Sequence, residues 1–238
     1  PKPIFNHKAI IKHMNNRYYA MNPAQRRQFH IKLGVLSFGV NAVIGLLLVF
    51  IDLRLIPLLF FFIAITLTLI APFFDVPAMV RKGKMTYHSL FLLSEQAKQG
   101  VRRIHGGTLF DYYFVLKNDM SCKERSAFVL AEYLKGLLDL AGHEDEHTLV
   151  QGTSYFLNER TASKVGLKKA KTDRLQKLIL LFNYFNIMAT LSLAKRSLHM
   201  PRMSKIRTYE GKIADIRAHE ALIEAMIQRL QPGRNPEK

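Results

Sequence analysis

The apolar positions of this chain gather in two uncharged runs near its start, Leu33–Ile51 and Leu55–Phe74, with only Asp52, Leu53 and Arg54 between them. At ~1.5 Å of rise per residue, each run is long enough as a helix to cross a hydrocarbon core of ~30 Å. So short a break predicts two antiparallel helices, a transmembrane hairpin over 33–74. Pro57 suits the first turn of the second helix, where a missing N–H costs least, and Pro72 suits its end. Asn41 lies in mid-span and needs a hydrogen-bond partner, either Thr66 or Thr68 of the second helix or a neighbouring subunit. Gly45 offers a place for close helix packing.

A third apolar run, Leu178–Ala194, is shorter and carries Asn183, Asn186, Thr190 and Ser192. A crossing there would export Lys195, Arg196, Arg202, Lys205, Arg207 and Lys212, against the tendency of basic segments to stay inside. The run therefore predicts a buried helix of the cytoplasmic domain, about 173–196, with a membrane-surface or re-entrant segment as the rival.

The rest of the chain alternates at helical spacing. A helical pattern covers 86–100 and stops at Gly100, and an aromatic and β-branched stretch over 105–116 favours a strand, although its length also fits a buried helix. Ser121 and Glu124 form a capping box ahead of Phe128, Ala131, Leu134, Leu137, Leu138 and Ala141, with Gly142 as the stop. A helix is expected over 148–164, an extended piece around 203–209, and a final helix over 211–230. The expected fold is a mainly α membrane protein: a basic cytoplasmic segment (1–32), the hairpin (33–51 and 55–74), a mostly helical cytoplasmic domain (75–231) with room for one or two short strands, and a loose tail (232–238).

Charge changes this picture in one respect. The net charge is +17, which favours an anionic partner. Residues 1–32 hold Lys2, Lys8, Lys12, Arg17, Arg26, Arg27 and Lys32 and no acid, and Arg81, Lys82 and Lys84 follow the second run. The charge rule then places both termini in the cytoplasm of a multi-pass protein of the cytoplasmic (inner) membrane. Arg26, Arg27, Lys32, Arg81, Lys82, Lys84, Lys168, Lys169, Lys171, Lys195 and Arg196 are the expected contacts with anionic lipid or a partner protein, each base contributing about 1 kcal/mol near an anionic surface. The basic tracts have few aromatics for base stacking and no recognisable nucleic-acid module, which argues against nucleic acid as the partner. A single cysteine, Cys122, rules out an intrachain disulfide, and the first residues do not read as a signal peptide.

Candidate chemistry is sparse. His143 and His147 are spaced i,i+4, as metal ligands on one helix face would be, but an acidic helix start explains the His143–His147 run more simply. Asp111 lies among aromatics and needs solvent or a partner, with Arg102 or Arg103 as a structural clamp or His105 as an acid–base partner. The sequence calls for no cofactor. The leading expectation is a non-catalytic accessory or scaffold subunit of a membrane complex, in envelope polysaccharide synthesis, secretion or transport, associating with other subunits or with itself. The alternatives are a membrane-bound enzyme acting on a lipid-linked or anionic substrate through His105 and Asp111, and a ligand-sensing, pore-forming effector.

Overall fold

The computed structural model describes residues 16–231. Lys2, Lys8 and Lys12 of the basic segment and the tail after 231 lie outside these residues. The protein is mostly helical, with one mixed six-stranded sheet and two apolar helices long enough to cross a membrane.

A short helix, α1 (Arg17–Ala20), leads into α2 (Pro23–Ile51). Asn22 accepts from the Gln25 amide at 2.9 Å while the Gln25 side chain accepts from the Asn22 amide, and Pro23 fills the first helical position. These caps start α2 ten residues earlier than the apolar run does. A 3-10 turn over Leu53–Leu55 leads to α3 (Leu58–Arg81), which also outruns its apolar stretch. Pro72 and Pro77 therefore stand inside α3, where Pro72 was expected at the end. The two helices touch from Gly45 against Leu59 near the turn to His30 against Phe73 and Phe74 at the other end.

The sheet follows. Strands β1 (Met85–Ser89), β2 (Leu92–Glu95) and β3 (Val101–Gly106) form a meander. Helices α4 (Leu109–Val115) and α5 (Cys122–His143) then cross to β4 (Leu149–Ser154), which is parallel to β3. After α6 (Glu159–Lys164) comes β5 (Lys168–Ala170), then α7 (Arg174–Phe182) and α8 (Tyr184–Lys195), then β6 (Arg207–Lys212), α9 (Ile213–Ala218) and α10 (Glu220–Leu230). The strand order is β1-β2-β3-β4-β6-β5.

Six strands replace the one or two expected. Residues 86–95 form β1 and β2 rather than a helix, because Met85, Tyr87 and Leu93 face one core while Leu92 and Ser94 face another, a two-sided burial that mimics helical spacing. The 105–116 stretch is helix α4 after Gly106, not a strand, since its aromatics are buried nearly all round. Residues 149–154 are a strand where a helix was expected. The α5 capping box stands as read, but α5 runs through Gly142 to His143. The final helix divides: its first residues belong to β6, and α9 and α10 meet at His219.

The two largest hydrophobic cores among the described residues flank the sheet. In the first, Leu134, Leu137 and Leu140 of α5 pack with Ile213, Ile216 and Ile223 of α9 and α10 against Leu92, Ile104 and Val150. Gly136 brings α5 close to the sheet, since a Cβ there would stand 2.4 Å from the Leu92 Cβ. The second core joins the sheet to the apolar helices. Phe73, Val76 and Val80 of α3 pack with Tyr18, Met85, Tyr87, Leu93, Phe110 and Phe114.

The expected buried helix over 173–196 is two helices, α7 and α8, bent by 63° at Asn183. None of α7 is buried, and Leu175, Leu178, Ile179, Leu181 and Phe182 face outward. α8 packs inward through Ile187, Thr190, Leu191 and Ala194, and α7 joins it only through the half-buried Leu180.

Candidate functional site

The most consequential polar contacts lie along α3. A proline removes the amide that would bond the carbonyl four residues earlier. Pro72 therefore frees the Thr68 carbonyl, and Pro77 frees that of Phe73. Both are taken by side chains from neighbouring helices. Asn186 Nδ2 of α8 donates to Thr68 O at 3.1 Å, and His30 Nε2 of α2 lies 3.1 Å from Phe73 O. A carbonyl only accepts, so His30 carries its proton on Nε2 in this contact. The His30 ring also stacks on Phe74, with centroids 4.7 Å apart. In an apolar helix with no water alongside, such substitutes are what make an interior proline tolerable. Neither Asn186 nor His30 stood out in the sequence as a partner, although counting back four residues from each proline marks both carbonyls.

Asn41 bonds within its own helix. Its Nδ2 donates to Ser37 O at 2.8 Å, and Ser37 Oγ donates to Leu33 O at 2.7 Å. Thr66 and Thr68 likewise donate to carbonyls of α3, those of Phe62 and Ile65. Gly45 faces Leu59, whose Cδ2 would lie 3.4 Å from an added Cβ.

A second polar group lies where β1, β2 and β3 meet the C-terminal part of α5. His88 Nδ1 is 2.8 Å from Asp139 Oδ2, and His88 Nε2 is 2.9 Å from Ser94 Oγ. The order of groups is that of a Ser-His-Asp triad. Two features make it a clamp instead. Ser94 is 0% exposed, so no substrate carbonyl reaches its Oγ. Arg102 Nη1 also donates to that oxygen, at 3.3 Å, while its Nη2 pairs with Glu144 Oε1 at 2.6 Å. Three strands and the end of α5 are thereby tied through one serine. The set is not legible in the sequence, because its members are scattered over 88–144.

The proposed pair of His105 and Asp111 divides. His105 Nε2 lies 2.9 Å from Glu95 Oε1 on the neighbouring strand, and that contact holds Glu95 below the usual carboxylate range. Asp111 is fully buried in the second core. Its Oδ1 accepts from Tyr87 Oη at 2.5 Å, and its Oδ2 accepts from the Thr108 amide and Oγ at 2.7 and 2.9 Å. It thus caps α4 from within. Burial pushes its carboxyl up to about 6, against the pull of the Tyr87 and Thr108 hydrogen bonds. Burial and the nearby Asp111 push the Tyr87 phenol up as well. The expected clamp from Arg102 or Arg103 is replaced by these neutral donors.

His143 ends α5, with Nδ1 2.7 Å from the Asp139 carbonyl, and His147 lies beyond the helix beside Glu146 at 3.6 Å. The helix stops between the two histidines, so they do not share a helical face. Among the described residues no group of three or more His, Cys, Asp and Glu is placed to hold a metal ion.

The basic residues serve two purposes. Arg27, Lys32, Arg81, Lys82, Lys84, Lys168, Lys171 and Arg196 are exposed. Lys169 pairs with Glu159 at 2.7 Å, and Lys195 Nζ lies 2.9 Å from His199 Nε2. Arg26 is drawn inward, donating to the Tyr18 and Tyr19 carbonyls at 3.2 and 2.8 Å and lying over both rings. Three other arginines cap helix C-termini: Arg17 on Tyr113 and Phe114 of α4, Arg125 on Leu193 of α8, and Arg217 on Ala141 and Glu144 of α5. Part of the positive charge is therefore structural, which composition alone conceals. No family model matches the chain, and no curated protein or solved structure matches it either.

Proposed function

We propose that the protein is an accessory or scaffold subunit of a cytoplasmic-membrane complex, held by a transmembrane hairpin of α2 and α3 with the sheet domain and both termini in the cytoplasm. The observation that carries this reading is the fusion of α3 with the domain. One half of α3 exposes Leu58, Phe60, Phe61 and Leu67, while the other half is built into the second core through Phe73, Val76 and Val80. Anchor and domain thus share one core, which suits a part that sets the position of its neighbours relative to the bilayer. The exposed Arg27, Lys32, Arg81, Lys82 and Lys84 near the domain ends of α2 and α3 favour that side facing anionic headgroups. The engagement of His105 by Glu95 and of Asp111 by Tyr87 and Thr108 further supports a structural role over an acid–base one. The partners are other subunits or further copies, in polysaccharide synthesis, secretion or transport.

Purification from its native membrane in a mild detergent tests this. A stoichiometric assembly that survives size-exclusion chromatography is the expected result. A strictly monomeric particle with no co-purifying protein overturns it.

A further inference from the structure

The bent pair α7–α8 has an unusual relation to α3. The second core reaches along α3 only as far as Phe73 and Leu69. Yet α8 follows α3 well beyond them. Asn186 bonds Thr68, and the Phe185 ring meets the Phe61 ring at 6.4 Å between centroids. At ~1.5 Å per residue, Phe61 lies roughly 18 Å along α3 from Phe73. The start of α8 therefore sits beside the most apolar part of α3, while Ile187 packs with Leu180, Tyr155 and Ile206 near the ends of β4 and β6.

Both ends of the segment nevertheless return to the domain. At the start of α7, Gln176 Nε2 donates to Thr153 Oγ1 of β4 at 3.2 Å, and the Thr172 and Thr208 hydroxyls meet at 2.9 Å. At the end of α8, Arg125 Nη1 donates to Leu193 O at 2.6 Å. At the turn between the helices, Asn183 N–H bonds Ile179 O at 3.0 Å and Ile187 N–H bonds Asn183 O at 2.9 Å. The outward face of α7 carries Leu175, Leu178, Ile179, Leu181 and Phe182, with Arg174 and Lys177 confined to its sheet-side end.

We propose that residues 174–195 form a re-entrant wedge that enters the bilayer beside α3 and leaves on the same side, with the apolar face of α7 against lipid acyl chains. This rests on α2 and α3 spanning the membrane. Lipid is the occupant because α7 continues directly into a helix bonded to α3 beside its exposed apolar half, so the medium around Phe60 and Leu67 also meets the outward face of α7, while Leu180 and Gln176 turn to the domain. The wedge also removes the conflict between an apolar run and the bases after it, since Lys195 and Arg196 never cross. Asn183 and Asn186 then stand at the tip and flank of the wedge, their Nδ2 groups already bonded to Ile179 O and Thr68 O.

The test is depth-resolved quenching in phosphatidylcholine–phosphatidylglycerol vesicles. Cys122 is the only cysteine and is exposed, so a Cys122→Ser chain accepts single cysteines at Phe182 (wedge), Leu46 (α2) and Lys164 (α6), each labelled with an environment-sensitive dye. The Phe182 label should be quenched by brominated lipid to the same extent as the Leu46 label and protected from iodide, whereas the Lys164 label should respond to iodide alone. Iodide quenching at Phe182 with lipid quenching at Leu46 overturns the wedge and leaves the hairpin standing. Protection of the Phe182 label from both quenchers means that protein covers α7, and overturns lipid as the occupant. Iodide quenching at Leu46 overturns the spanning reading and the wedge with it. A Cys122→Ser/Lys164→Cys/Met200→Cys chain, treated outside sealed vesicles with an impermeant maleimide, should yield only unmodified and doubly modified molecules. Singly modified molecules mean that the segment crosses fully, which overturns the re-entrant path.

Discussion

Asn186 and Thr68 are 118 positions apart and joined by one hydrogen bond whose need is created by a third residue, Pro72. The amide side chain fills the place of the backbone donor that proline lacks. Asn186→Ala should therefore lower the apparent stability in detergent by about 1 kcal/mol, within the range measured for hydrogen bonds between membrane helices. In a Pro72→Ala background the residue-72 amide supplies the missing donor, and the same change should cost almost nothing. Equal costs in both backgrounds, measured as melting shifts, would sink this account of the pair.

The contact between His30 and Phe73 allows a parallel experiment with a different chemical handle. His30→Phe keeps a ring against Phe74 and removes the donor to the Phe73 carbonyl. A loss of about 1 kcal/mol is expected, and Pro77→Ala should abolish it. If His30→Phe is as stable as the parent, the stacking carries the contact and the hydrogen bond does not.

Asp111 makes stability depend on pH in an uncommon direction. Its carboxyl titrates at about 6 in the folded chain and near 3.8 when solvated. The folded state therefore holds its proton more tightly, so its stability is greatest below the solvated value and falls as pH rises from about 4 through about 6. A shift of this size corresponds to roughly 3 kcal/mol. Asp111→Asn removes this titration while leaving an amide oxygen for the Thr108 donors. The difference in melting temperature between parent and variant should move in the variant's favour across that window. A difference that stays flat from pH 4 to pH 7 would show that Asp111 ionises as freely in the fold as outside it. Asp111→Ala, which strands the Tyr87 hydroxyl and the Thr108 amide, should cost about 2 kcal/mol or more at any pH.

Ser94 distinguishes a clamp from a nucleophile. Ser94→Ala removes the oxygen shared by His88 and Arg102 and should destabilise the domain by about 1–3 kcal/mol. A fluorophosphonate probe should label parent and variant equally little. Labelling of the parent that disappears in the variant would make Ser94 a nucleophile and revive the enzyme reading.

The two long apolar helices could be read in the sequence because uncharged length is a strong and local signal. Their extra turns could not, since they come from the Asn22–Gln25 cap and from the aromatic cluster that holds the far end of α3. The sheet escaped notice for a related reason. Its first two strands lie between two cores, so their burial does not alternate as in a half-exposed strand, and the 105–116 aromatics belong to a helix that is buried nearly all round. Read by chemistry alone, the candidate residues pair with sequence neighbours, His105 with Asp111 and His143 with His147. The contacts that form are with distant partners, Glu95, Tyr87 and the Asp139 carbonyl. Charge misled by degree: Arg17, Arg26, Arg125 and Arg217 counted towards an anionic partner but bond backbone carbonyls inside the fold.

Pro72 also imposes an order in time. A ribosome adds about 5–20 residues per second, so the 118 positions between Thr68 and Asn186 take roughly 6–24 s to make. Throughout that interval α3 exists with a carbonyl whose partner has not been synthesised. Assembly is therefore a two-stage event: the pair α2–α3 is committed early, and it is completed only when the chain doubles back with residue 186. A ribosome pause or a truncation between these points would leave the first stage waiting on the second.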